Sequence, residues 1–174
     1  HFLKRPVFIA SSNSFLLRAP IAPDGAALHD LITRCPPLDT NSLYCNLLQC
    51  DLWSETSIVA VTKNQLIGSV TGFMHPKRPR TLFIWQVAVD PNHRGCRLAT
   101  RMLSKLAERL RNTMSHVETT ISPGNLSSEA SFRAFANIFD APMAPSPKYD
   151  SLAHFSGNHA SELLWRIGPL HFKE

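Results

Sequence analysis

The chain has 174 residues, 44% of them hydrophobic, and its 18 Lys and Arg against 13 Asp and Glu give a formal net charge of +5. That length suits one domain and that apolar content can close a core, which argues against intrinsic disorder; no apolar run approaches the roughly 20 residues of a membrane span. The four cysteines, Cys35, Cys45, Cys50 and Cys96, show neither Cys-x-x-Cys spacing nor a neighbouring His at zinc-ligand intervals, so they read as reduced thiols of a cytoplasmic protein and no metal is expected. The opening HFLKRPVFIASSNS has no proper apolar segment and no small-residue cleavage site. It reads as a flexible arm over residues 1–14 ahead of a single domain over residues 15–174, and not as a signal peptide.

Phe15–Arg18 predicts a short first strand. Pro23-Asp24-Gly25 opens a helix with Ala27, Leu28, Leu31 and Ile32 on one face, and Cys35-Pro36-Pro37 ends it because neither proline can donate a helical hydrogen bond. A second helix starts within Leu38–Tyr44, with Asp39 or Asn41 as its cap and Leu43, Leu47 and Leu48 as its buried stripe. Ser57–Val61 and Leu66–Met74 read as strands joined by a short hairpin at residues 63–65. A basic, Pro-rich loop, His75–Arg80, leads into Thr81–Val89, whose β-branched and aromatic residues predict a buried strand stopping at Asp90-Pro91. After a turn, Leu98, Met102, Leu103, Leu106 and Leu110 recur at helical spacing.

His116–Ile121 is a further strand, followed by the turn Ser122-Pro123-Gly124-Asn125 and a helix that packs Ala130, Phe132, Phe135, Ala136 and Phe139 inward. Asp140–Pro147, with three prolines, reads as a loop, and Lys148–Phe155 and Ser161–Ile167 as two strands around Gly157-Asn158. This order predicts an α/β fold with an antiparallel amino-terminal half and a central parallel pair.

One stretch points to chemistry. A strand, a tight turn with Arg94 and Gly95, and a helix that starts at once turn free backbone N–H groups and the positive end of a helix dipole toward an anion. Strand–turn–helix units are also ordinary α/β punctuation, so local physics leaves both readings open. Arg94, Arg97, Arg101, Lys105, Arg109 and Arg111 crowd this segment against Glu108. A basic helix invites nucleic acid, yet no zinc finger or RNA-recognition motif accompanies it, and a phosphate-bearing cofactor needs the same cations. Neither a nucleic-acid nor a membrane partner is expected.

Val87-Ala88-Val89 followed by Arg94-Gly95-x-x-Leu98-Ala99 resembles the acetyl-CoA motif of the GCN5-related N-acetyltransferases. The resemblance implies a mixed central sheet with a splayed strand pair flanked by helices. It also implies acetyl-CoA held by Val87, Ala88, Val89, Arg94, Gly95, Cys96, Arg97, Leu98 and Ala99, with Asn125 as a further contact. The usual second glycine is Arg97 here, which is expected to lie in the helix's first turn, where a non-glycine is tolerated and reaches a phosphate.

Four fragments narrow the family: Pro36-Pro37-Leu38-Asp39-x-Asn41-Ser42-x-Tyr44, Trp85-Gln86-Val87-Ala88-Val89, Thr119-Thr120-Ile121-Ser122-Pro123-x-Asn125, and His159-x-x-Glu162-x-Leu164-Trp165-Arg166-Ile167-Gly168-Pro169. In this order they resemble the L-2,4-diaminobutyrate N-γ-acetyltransferases of ectoine biosynthesis. That implies a cytoplasmic homodimer serving osmoprotection, with Asp39, Tyr44, Trp85, His159 and Glu162 lining the diaminobutyrate pocket. The family often carries acidic residues just before Glu162, where this chain has Ala160 and Ser161.

The chemistry asks for such residues in its own right. An alkyl amine of pKa near 10.4 costs about 4 kcal/mol to neutralise near pH 7.5. Only the neutral form attacks a thioester, so a carboxylate must hold the ammonium and a base or water relay must take its proton. Glu162 is assigned the proton and Asp39 the amine, though the two are interchangeable on this evidence. The resemblance places Phe132 where many relatives have a proton-donating tyrosine, and assigns the amide near Val87 to polarising the thioester carbonyl. Blander roles stand beside these: a helix cap for Asp39, ring packing for Tyr44, core packing for Trp85, turn chemistry for Asn125 and a solvated edge-strand acid for Glu162. The alternatives in function are acetylation of another small amine or a protein lysine, or CoA binding without catalysis.

Overall fold

Thr81–Val89 is β4, the middle strand of a seven-stranded mixed sheet, in a computed structural model that describes residues 14–63 and 65–173. The arm expected over residues 1–14 lies, but for its last residue, outside the described residues. The other strands are β1 (Leu16–Arg18), β2 (Ile58–Val61), β3 (Leu66–Met74), β5 (His116–Ile121), β6 (Met143–Tyr149) and β7 (Glu162–Ile167), in the order β1-β2-β3-β4-β5-β7-β6. β4 and β5 run parallel and every other neighbouring pair antiparallel.

Among the described residues five α-helices accompany the sheet: α1 (Gly25–Thr33), α2 (Leu43–Asp51), α3 (Leu98–Arg109), α4 (Leu126–Ile138) and the short α5 (Ser151–Phe155). Leu98, Met102, Leu103 and Leu106 of α3 and Phe132 and Phe135 of α4 pack against Ile58, Val70, Leu82, Ile84 and Val117 in the larger core. Leu28, Leu31 and Ile32 of α1 pack against Val59, Leu66 and Ala88 in a second core. Those helices are there because their apolar residues recur every three or four positions and have a sheet to cover.

β4 carries the irregularity on which the site depends. Opposite β3, Thr71 faces Gln86 while Gly72 faces Ile84, which leaves Trp85 as the extra residue of a β-bulge. The parallel pairing of β4 with β5 ends at the same point, with Ile84 opposite Thr119. The bulge bends β4 away and the two strands part. Gly72 permits it, since a Cβ there would lie 2.6 Å from the carbonyl oxygen of Phe83. Gly72→Ala is expected to cost about 1–3 kcal/mol as an overpacking change, read by urea denaturation.

Four expectations need correction. Helix α2 is capped by Ser42, whose Oγ accepts from the Cys45 N–H at 3.1 Å, and not by Asp39 or Asn41. Its buried residues are Asn46, Gln49 and Cys50, while Leu43 and Leu47 are exposed. A polar network makes that orientation tolerable: His29 Nδ1 meets Asn46 Oδ1 at 2.9 Å, and Asn46 Nδ2 donates to Gln49 Oε1 at 3.0 Å. Residues 143–147 of the expected loop Asp140–Pro147 belong to the edge strand β6. Pro145 and Pro147 are two residues apart, so their missing donors fall on one side of the strand, a side an edge strand can spare. Finally, of the strand expected over Lys148–Phe155 only Lys148 and Tyr149 are extended, as the end of β6, and the rest turns into α5. Asp150 caps α5 by accepting from the N–H groups of Leu152 and Ala153 at 2.9 and 2.8 Å.

A candidate active site where two strands part

Past Ile84 the edge of β4 that faces β5 has no paired strand, while its other edge remains bonded to β3 through Val87, Ala88 and Val89. Backbone groups along that bare edge can take an extended ligand as a strand would. The strand then runs into Asp90, a buried residue that sequence reading used only as a stop. Its Oδ1 accepts from the Asn92 N–H at 2.9 Å and its Oδ2 from Arg34 Nε at 3.2 Å, which pins the turn to the end of α1. Burial pushes this carboxyl up, but the bonds from Asn92, His93 and Arg34 outweigh it and hold the group below the usual range.

The turn ends in an uncapped helix. Gly95 has φ +80° with open space around it, and Arg97, at φ +59° and ψ +27°, is the residue before α3 and not part of its first turn. The expectation for Arg97 is thus corrected: the position does require the left-handed region, and an arginine holds it. The cost is about 1–2 kcal/mol for a residue with a Cβ. Arg97→Gly is therefore expected to raise stability by about 1 kcal/mol in urea denaturation, less whatever the unfolded chain gains in freedom. The Arg97 side chain accepts nothing, so the first N–H groups of α3, on Leu98 and Ala99 among them, have no capping oxygen and remain free for an anion. Arg94 and Cys96 are exposed on the same turn, where Arg94 Nε donates to the Val89 carbonyl at 3.3 Å and Cys96 Sγ lies 3.0 Å from the His93 carbonyl. Asn125 sits at the start of α4 and spends its Oδ1 on capping, accepting from the Ser128 N–H at 3.2 Å.

Beside the gap stand the acids. Glu162 opens β7, which lies between β5 and β6, so it is no edge-strand residue; its side chain is 14% exposed against 84% for Asp39. His159 lies between them, Nε2 3.8 Å from Asp39 Oδ2 and Nδ1 3.9 Å from Glu162 Oε1. The ring is turned by a 2.7 Å contact of Nδ1 with the Ala160 carbonyl. The loop carrying it is tied to α5, because Ser151 Oγ donates to the His159 carbonyl at 2.6 Å and the Ser151 N–H to Ser161 Oγ at 2.9 Å.

Two residues inside the quoted fragments, to which no role was assigned, hold this arrangement. Ser122 Oγ donates to Glu162 Oε1 at 2.7 Å, and Gln86 Nε2 donates to the Asp39 carbonyl at 3.1 Å. Trp85, the bulged residue, is exposed and not in the core, its ring 5.7 Å from that of Trp53, which in turn stacks 5.0 Å from Phe73. Tyr44 is exposed on the first turn of α2 and its side chain makes no hydrogen bond among the described residues. Asp39, His159 and Glu162 are brought together; Tyr44 and Trp85 are the two expected lining residues whose side chains make no described contact with that cluster. Phe132 is buried in the larger core.

A second charged cluster lies on β5 itself. Glu118, with a side chain 1% exposed, accepts from Arg166 at 2.6 Å and from Arg78, and His75 Nε2 is 4.0 Å from its other oxygen. Burial pushes this carboxyl up, yet the two guanidinium hydrogen bonds prevail and lower it. Among the described residues no group of His, Cys, Asp and Glu has the makings of a metal site, and no helix is long and apolar enough to cross a membrane.

Residues 25–136 match the acetyltransferase (GNAT) family. The chain is 45% identical over 154 residues to an L-2,4-diaminobutyric acid acetyltransferase of Methylotuvimicrobium alcaliphilum, covering 88% of this chain and 90% of that one. It is 41% identical over 162 residues to a protein of the same name from Bordetella parapertussis, covering 92% and 87%. In three dimensions it matches a diaminobutyrate acetyltransferase from Paenibacillus lautus, solved with L-2,4-diaminobutyric acid and coenzyme A, with a TM-score of 0.85 and 32% identity over 94% of this chain and 99% of that one.

Proposed function

Because the chain belongs to the acetyltransferase (GNAT) family and, within it, to the L-2,4-diaminobutyric acid acetyltransferases, we propose that it transfers the acetyl group of acetyl-CoA to the side-chain amine of L-2,4-diaminobutyrate, a step toward ectoine. The observation that carries the reading is the pair of carboxylates, Asp39 and Glu162, on opposite nitrogens of His159 beside the gap in the sheet. A substrate with two ammonium groups suits two carboxylates: one holds, the other accepts a proton.

Their surroundings divide the work. Asp39, open to water, captures and orients an ammonium at low desolvation cost, while Glu162, largely enclosed and hydrogen-bonded, takes the proton of the attacking amine. His159 stands between the acids, and Trp85 and Tyr44 are assigned to the walls on the resemblance to the diaminobutyrate acetyltransferases. Acetyl-CoA fits the rest: the bare edge of β4 at Val87–Val89 matches an extended amide-bearing arm, and the uncapped start of α3 at Gly95–Ala99, with Arg94 and Arg97, matches a diphosphate. When bound, it supplies a thioester carbonyl and a thiol leaving group. The resemblance assigns the Val87 amide to polarising that carbonyl. Phe132 donates no proton, and a thiol of pKa about 8.5 can depart as the thiolate without one.

The protein acts as a cytoplasmic homodimer in osmoprotection. Leu43 and Leu47, exposed apolar residues of α2, are candidates for burial against a second copy. A thiol-release assay across diaminobutyrate, polyamines and lysine peptides tests the substrate. Diaminobutyrate is expected to turn over fastest; faster turnover of a polyamine or peptide would refute the assignment.

A further inference from the structure

We propose that Ser122 is a positioning residue of the transfer reaction, holding the Glu162 carboxylate in the orientation from which it takes the amine proton; this rests on the reading of Glu162 given above. A glutamate side chain has three freely turning bonds, and fixing it requires a partner. Among the described residues the hydrogen bond to the Glu162 side chain comes from Ser122 Oγ, at 2.7 Å. His159 does not substitute for it, because its Nδ1 is 3.9 Å from that oxygen and 2.7 Å from the Ala160 carbonyl.

The backbone on both sides is fixed. Ile121 opposite Leu163 closes the β5–β7 ladder, so Ser122 and Glu162 are the next residue beyond it on each strand. Ser122 is held further by its own carbonyl, which accepts the Asn125 N–H at 3.1 Å in the turn leading to α4. The turn makes no demand on the hydroxyl, since Asn125 supplies the side-chain cap of that helix. A hydroxyl has one hydrogen to give. Given to Oε1, it locks the carboxylate plane and leaves Oε2 for the substrate. Because β5 is also one wall of the gap, the proton acceptor and the cofactor channel are aligned by the same strand end.

The test is a double-mutant cycle on the full chain with acetyl-CoA and diaminobutyrate. Ser122→Ala is expected to lower kcat by about tenfold or more, the scale of a hydrogen bond to a charged group, with KM for acetyl-CoA unchanged. Ser122→Thr, which keeps a hydroxyl, is expected to recover kcat to within about threefold of the parent. In a Glu162→Gln background, adding Ser122→Ala is expected to change kcat by less than about threefold, because a residue acting through Glu162 has nothing left to act on. A further tenfold loss in that background, or full activity of Ser122→Ala alone, would overturn the proposal. If instead Glu162→Gln by itself leaves the rate unchanged, the role of Glu162 is what fails, and the positioning role falls with it.

Discussion

Glu162→Gln lowers kcat/KM for diaminobutyrate by about 10²–10⁴-fold, the usual contribution of a positioned general base, while the thermal midpoint stays within about 2 °C of the parent. The substitution keeps the shape of the side chain and a hydrogen-bond acceptor for Ser122, so the strand pairing around it has no reason to change. What it removes is the ability to accept a proton. Steady-state kinetics with a thiol readout, alongside a thermal melt, measure both. On the proposed division of roles Asp39→Asn differs in kind: loss of a water-exposed carboxylate that holds the substrate is expected to raise KM for diaminobutyrate more than it lowers kcat. A Glu162→Gln enzyme with parental kcat/KM would remove Glu162 from the chemistry.

The largest expected effect on stability lies at Glu118, and it is asymmetric. Its side chain is 1% exposed, whereas those of Arg78 and Arg166 are 44% and 40% exposed. Replacing both arginines with methionine strands a buried carboxylate, and stability at pH 7 falls by about 3–5 kcal/mol in urea denaturation. Glu118→Gln costs less, because the two guanidinium groups it releases can turn back into water. The pH dependence has opposite signs in the two proteins. In the parent the carboxyl is lowered, so its stabilisation is complete above the ordinary glutamate range and is lost as pH falls through the folded value. In the double arginine variant the two guanidinium hydrogen bonds are gone and burial pushes Glu118 up, so stability falls as pH rises and the two proteins converge in acid. A gap that widens toward acid would contradict this account.

The long strands were legible to the residue: Leu66–Met74, Thr81–Val89 and His116–Ile121 are apolar or β-branched runs bounded by polar and turn-forming residues, and they fold as read. Residues 140–155 were not, because prolines announce missing donors without saying which side of a strand they face, and the Asp150 cap was overlooked. Arg97 could not be read from spacing either. A left-handed arginine is locally unfavourable and persists because β4 and α3 fix the chain on either side of it. Asp39 and His159 lie 3.8 Å apart across more than half the chain, so no local pattern could join them; the resemblance did. It carried no role for Ser122 or Gln86, since nothing in a spacing tells which acceptor a hydroxyl or amide will find.

The extra residue at position 85 has one more effect. Neighbouring strands zip together unless something forbids it, because every unmatched peptide group gains by finding a mate. With Trp85 inserted, the peptides of β4 beyond Ile84 fall out of step with those of β5, and the two cannot close into a continuous ladder. The fold thus leaves the β5-facing edge of β4 beyond Ile84 unpaired by the chain's own strands, and its backbone groups can join the amides of an extended ligand to the sheet.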